Sequence, residues 1–217
     1  TALNTVIKSL DLKPGDEILS TNHEYGALDK TWNYISEKTG IKYIQTPIPL
    51  PLTSKKEFID AILKNITKNT KIIFLSHITS STGLIFPVEE ICKIAKQKNI
   101  ISIIDGAHVP GHIDLNIRDL NPDVYTGACH KWMCSPKGTA FLYVKKNLQS
   151  IIEPLVISWG YESDEPSTSQ FLDYLQWQGT NDLSSYLTIP DTINFLEKNN
   201  WKNVAKKCRE LNIWARG

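Results

Sequence analysis

The feature that most constrains this chain is a rhythm. Short apolar runs end on polar clusters, and stretches with helical spacing separate them. Lys71 to His77 (KIIFLSH), Ile100 to Ile104 (IISII) and Thr139 to Val144 (TAFLYV) have strand length. Glu17 to Ser20, Lys42 to Gln45 and Asp123 to Gly127 read as shorter strands. Between them, Ala2 to Leu12, Leu28 to Lys38, Phe58 to Ile66 and Val88 to Lys96 return apolar residues every three or four positions, the period of one helix face. Ser54 is a natural N-cap, Pro87 suits a helix start and Gly40 suits a helix end. Leu183 to Leu196 and Trp201 to Leu211 read as closing helices, and Ser158 to Ser169 as a surface loop. Strands apolar throughout, alternating with helices, predict an α/β fold: a mostly parallel, mixed sheet with helices on both faces.

Composition narrows the function classes. The 217 residues are 41% hydrophobic and 22% charged, enough for a substantial core and unlike a disordered chain. Lys and Arg number 24 against 23 Asp and Glu, a net charge of +1, which offers no basic footprint for nucleic acid. No apolar run approaches the ~20 residues that span a bilayer. The first ten residues lack the basic region and cleavage site of a signal peptide. Four cysteines (Cys92, Cys129, Cys134, Cys208) do not suggest a disulfide scaffold, so the expected setting is a reducing cytoplasm. A GxGxxG dinucleotide loop is absent. The chain starts at Thr1 inside a helical pattern and stops at Gly217 at the edge of another, so both ends read as cut from something longer.

In a parallel α/β sheet, ligands bind at the carboxyl ends of the strands. Four polar clusters fall there: Asn22 to Tyr25, His77 to Gly83, Asp105 to His108, and Cys129 to Lys131. Asp105 ends a strand of five apolar or small residues, so its carboxylate either caps the next turn or meets a cation. Lys131 stands between His130 and Trp132. It is either a surface lysine with its stem on the indole or an amine made nucleophilic by its surroundings. Cys129, His130 and Cys134, with His108 and His112, raise a zinc alternative. Their spacing matches no standard zinc knuckle and leaves Asp105 and Lys131 without a role.

Taken together, IIDGAHVPGHIDL and GACHKWMCSPKGTAFLYV resemble the core of the class V aminotransferase family of fold-type I pyridoxal phosphate (PLP) enzymes. TNHEYGALDKTW and SHITSSTGLIFPVEEI resemble its isopenicillin N epimerase-like branch. The resemblance implies that residues 1–217 are the PLP-binding large domain of a homodimeric enzyme acting on an amino acid. It implies Lys131 as the Schiff-base lysine and Asp105 as the carboxylate that keeps the ring nitrogen protonated. A protonated ring is the electron sink of this chemistry. His108 would face the phenolic oxygen and His130 the phosphate. Thr79 and Ser80 would stand near the ring oxygen. His23 would stack on the ring and take part in catalysis, with Tyr25 as the alternative π face. Thr180 would reach the phosphate of the neighbouring subunit, or else sit in a Gly turn before the N-cap of the helix from Leu183.

Some of the family's features fall elsewhere. Desulfurase relatives carry a hydroxyl residue where Ala128 stands. The phosphate-gripping loop would end just before Thr1. The substrate-carboxylate arginine and the desulfurase cysteine would lie in a small C-terminal domain beyond Gly217. A cysteine desulfurase or C–S lyase is the alternative within the family. An inactive truncated remnant of the fold is the alternative outside enzymes.

Overall fold

The computed structural model describes residues 1–216; Gly217, the last residue of the expected large domain, lies outside the described residues. Helix α1 (Ala2–Ser9) leads into strand β1 (Glu17–Thr21), helix α2 (Gly26–Thr39) and strand β2 (Lys42–Thr46). Helix α3 (Lys55–Lys64), strand β3 (Thr70–Ser76), helix α4 (Val88–Gln97) and strand β4 (Ile101–Asp105) follow. A one-turn helix α5 (Ile117–Leu120) precedes strands β5 (Val124–Ala128) and β6 (Ala140–Val144). The six strands lie in the order β2-β1-β3-β4-β5-β6. All neighbours run parallel except β5 and β6, which are antiparallel.

The apolar strands are explained by burial on both faces. Side chains alternate along a strand, so Ile72 and Phe74 of β3 point one way and Ile73 and Leu75 the other. Ile72, Phe74, Ile18, Ile103 and Val124 pack with Val6 and Ile7 of α1 and with Leu28 and Trp32 of α2. Ile73, Leu75, Leu19, Ile104 and Tyr125 pack with Phe58 and Ile62 of α3 and with Ile91 and Ala95 of α4. Two cores on one sheet leave few polar positions in the middle of these strands, and those present are hydrogen-bonded: the Ser20 hydroxyl donates to the Phe74 carbonyl and that of Ser102 to Asp123. Local signals hold the helices in place. The Ser54 hydroxyl accepts from the Glu57 N–H, and Gly40 ends α2 in the left-handed region with its N–H on the Ser36 carbonyl.

The C-terminal part departs from the sequence reading. Helix α1 stops at Ser9 rather than Leu12. A 3-10 turn (Lys146–Ile151) and helix α6 (Gln170–Gln176) form where no helix is expected from spacing alone. The stretch expected as one helix from Leu183 is two, α7 (Ser184–Leu187) and α8 (Ile189–Lys198). Pro190 lies in the first turn of α8 and has no N–H to continue the earlier helix. Helix α9 (Trp201–Ala215) closes the chain. No helix among the described residues is long and apolar enough to cross a membrane.

Candidate active site

Strand order reverses beside β1: its chain successor β2 lies on one side and β3 on the other. The carboxyl edge of such a sheet opens a crevice between diverging loops. A cleft of about 350 Å³ sits there, at the lower end of the range for small-molecule sites. Its walls come from five places: the first turn of α1, Tyr25 after β1, Ser76 and Ser80 at and beyond β3, Asp105 and His108 at and beyond the end of β4, and Thr126 to Ala128 of β5 with His130 and Lys131 of the loop after it. Two roomier cavities of about 570 Å³ lie elsewhere, one against α8 and α9 and one beside α4, and neither contains Asp105 or Lys131.

Asp105 stands at the end of β4, paired in register with Ser76 of β3 and Thr126 of β5. Only 6% of it is exposed. Its Oδ1 accepts from the Ala107 N–H at 2.9 Å, so one oxygen does cap the following turn. Its Oδ2 has no hydrogen-bond partner among the described residues. Burial pushes the Asp105 carboxyl above the usual carboxylate range, and the Ala107 N–H and the charge of Lys131 pull it back. A buried carboxylate half-satisfied in this way is a receptor for a cationic N–H.

Lys131 follows β5 and is exposed at the opposite wall. Its Nζ lies 3.0 Å from His108 Nε2. The Trp132 indole N–H donates to His108 Nδ1 at 3.2 Å. An indole only donates, so a neutral His108 accepts at Nδ1 and carries its proton on Nε2. Burial holds His108 below the usual imidazole range, assisted by the charge of Lys131, so the ring favours the neutral form this arrangement uses.

Gly111 makes the contact possible. Its φ is +77°, and a Cβ there would meet the Trp132 carbonyl oxygen at 2.4 Å. The loop after β4 therefore lies directly on the backbone that follows Lys131, which brings His108 to the lysine.

The other expected residues divide into two groups. His130 lines the cleft, with Nδ1 2.7 Å from the Thr139 carbonyl, and Ser80 lines it too. His23 and Thr79 do not. His23 is buried behind the turn, its Nε2 2.9 Å from the Ile48 carbonyl and its Nδ1 3.3 Å from Thr82 Oγ1. Its ring meets Phe86 edge-on rather than facing the cleft. The expectation that His23 presents its face to a ligand is corrected accordingly: the half-exposed aromatic ring at the cleft from this loop is Tyr25. Thr79 is also buried. Its hydroxyl closes the loop onto Thr82 Oγ1 at 2.7 Å and accepts from the Leu84 N–H at 2.9 Å. Thr180 is exposed and outside the cleft of its own chain. Cys129 is buried beneath the loop and Cys134 exposed. Among the described residues no three His, Cys, Asp or Glu side chains group to hold a metal ion.

Sequence reasoning gave no role to Ser76, Thr126 or the first turn of α1. Ser76 and Thr126 flank Asp105 in the sheet register, a neighbourhood that only strand order reveals.

The sequence pattern of the aminotransferase class V family matches residues 1–217. The chain is 32% identical to isopenicillin N epimerase of Amycolatopsis lactamdurans over 99% of its own length and 57% of that protein. It is 31% identical to isopenicillin N epimerase of Streptomyces clavuligerus over 99% of its length and 56% of that protein. The cysteine desulfurase CsdA of Escherichia coli shares the fold with a TM-score of 0.75 at 21% identity, over 90% of this chain and 50% of that one. The cystine C–S lyase C-DES matches with a TM-score of 0.67 at 26% identity, over 80% of this chain and 50% of that one. The chain thus spans about half the length of the relatives it matches.

Proposed function

This chain belongs to the aminotransferase class V family, and from that premise we propose that residues 1–217 form the large domain of a pyridoxal phosphate enzyme acting on an amino acid. The observation that carries the reading is the pairing of a half-satisfied buried carboxylate, Asp105, with an amine, Lys131, across one cleft. When bound, pyridoxal phosphate supplies an aldehyde that condenses with amines and a ring that accepts the electron pair left at a substrate α-carbon.

The chain's own residues divide the remaining work. Asp105 Oδ2 would hold a proton on the ring nitrogen, because a buried anion strongly favours a cation beside it. Lys131 Nζ would hold the aldehyde end of the cofactor and, when free, would be placed to move a proton at the substrate α-carbon. The Nε2–H of His108 orients Nζ and offers a donor to the ring's phenolic oxygen. The free N–H groups of the first turn of α1, with His130, suit the phosphate end. Tyr25, which lines the cleft, would offer the aromatic face to the ring in place of His23. In a homodimer, Thr180 would serve the neighbouring subunit's site. The identity to the two epimerases supports proton removal and return at the α-carbon as the outcome. C–S cleavage is the second reading, favoured by 28% identity to a putative L-cysteine desulfhydrase of Oryza sativa over 85% of this chain.

The test is covalent labelling. Borohydride treatment of the protein with pyridoxal phosphate should fix the cofactor on Lys131, as read by peptide mass. Lys131→Ala should abolish the label, and a label persisting on another residue would overturn the assignment.

A further inference from the structure

Behind the Asp105 wall lies a second buried carboxyl group. Glu24 is 7% exposed and sits in the turn between β1 and α2. Its Oε2 accepts from both the N–H and the hydroxyl of Ser76, at 2.7 and 2.6 Å. Its Oε1 lies 2.7 Å from the Thr21 hydroxyl. Ser76 is also the register partner of Asp105, so one residue of β3 stands between the two acids. The same turn carries Tyr25, and it is pinned further by Asn22 Oδ1, which accepts from the Ile48 N–H at 2.8 Å.

This arrangement satisfies Glu24 in either protonation state. Ionised, it accepts all three hydrogen bonds. Protonated at Oε1, it donates to the Thr21 oxygen while Oε2 keeps both bonds from Ser76. The groups around it have opposing effects. Asp105 from β4 repels its charge, and Asp29 of α2 lies beyond Tyr43 of β2, whose hydroxyl donates to Asp29 at 2.7 Å. The neighbouring His23 has its ring nitrogens beside Ile48 and Thr82, and Lys131 acts on Asp105 from across the cleft. Burial is the largest influence and raises Glu24 to about 7; the hydrogen bonds from Ser76 and Thr21 pull it down, and Asp105 adds the smallest push upward.

We propose that Glu24 is a positioning residue of the cleft whose proton leaves to solvent when a cationic ring nitrogen docks on Asp105. This rests on the reading of Asp105 given above. A cation on Asp105 cancels the repulsion that Glu24 meets there, so Glu24 ionises and the added negative charge in turn strengthens the hold on the cation. Binding and proton release are then linked in both directions.

The experiment measures pyridoxal phosphate affinity from pH 5.5 to 8.5 for the protein, Glu24→Gln and Asp105→Asn. The ratio of parent to Glu24→Gln affinity should rise by about three- to tenfold across pH 7, the size expected for charges interacting at intermediate dielectric. A flat ratio, with Asp105→Asn still weakening binding, overturns the role of Glu24 alone. Unchanged affinity in Asp105→Asn overturns the reading beneath it. The parent protein supplies a measurement that needs no variant to fold. The carboxyl carbon resonance of Glu24 should titrate near 7 without pyridoxal phosphate and lower with it, and an unmoved midpoint refutes the proposal.

Discussion

The molecule has two regions built on different principles. Residues up to Ile152 surround a sheet with a packed core on each face, and Trp32, Phe58, Phe74 and Tyr125 are fully enclosed. From Glu153 to Arg216 no residue is buried. Helices α6 to α9 leave Leu187, Leu211, Ile213 and Trp214 largely in water. In this arm, Phe171 and Leu175 of α6 rest on the edge of one core, and α9 attaches by hydrogen bonds. Trp201 donates its indole N–H to the Gly111 carbonyl, and Arg209 its Nη1–H to the His112 carbonyl, both at 2.8 Å. Both acceptors lie on the loop that brings His108 to Lys131. The sheet region therefore supplies stability, and the arm braces one loop of the cleft.

Three measurements separate the two regions. Phe74→Ala should cost about 3–5 kcal/mol in denaturant unfolding, because its cavity is walled by strand and helix on all sides. A loss below ~1 kcal/mol would mean that the sheet is not the stabilising core.

The next effect is that of pH on the buried acids. Glu24 sits at about 7 in the fold against an ordinary 4.5, and Asp105 is raised as well. Below about 4.5 Glu24 is protonated whether folded or not, and its contribution to stability is fully present. Between there and 7 the unfolded chain releases the proton and the folded chain keeps it, so stability falls as pH rises. For Glu24 the loss is on the order of 3 kcal/mol once pH passes 7. His77, held at about 4 by burial, acts in the opposite sense between pH 4 and 6.5, so the readout is the difference between the two proteins: from pH 5 to pH 8 the urea midpoint of Glu24→Gln should rise relative to that of the parent. Equal pH dependence in the variant would show that Glu24 is not the titrating group.

The smallest effect belongs to the arm. Trp214 is 78% exposed, and Trp214→Ala should move stability by less than about 0.5 kcal/mol. A loss comparable to that of Phe74→Ala would erase the distinction between the two regions.

How far the residues could be read without coordinates follows the same division. The sheet region was legible because each strand is apolar throughout and each helix carries local stop and start signals such as Ser54 and Gly40. The arm was not, because its helices bury no residue fully and so carry no compelled apolar stripe. Only Pro190 marked the break between α7 and α8, and a proline at a helix start looks the same as one that ends a helix. Among site residues, Asp105 and Lys131 stood out because a charge after a buried strand needs a partner.

The order of strands and helices, the chemistry available at the strand ends and the identity of the acid and the amine are properties of the chain itself. They depend on near-neighbour patterns of polarity, which folding preserves. Which aromatic ring of the Asn22 to Tyr25 turn faces the cleft was decided only by the fold. His23 and Tyr25 both offer a π face, but Ile48 and Thr82, brought from distant loops, hold the imidazole inside and leave the phenol at the opening. The link from Glu24 through Ser76 to Asp105 was likewise invisible, because it runs across three strands far apart in the chain and exists only once β1, β3 and β4 lie side by side.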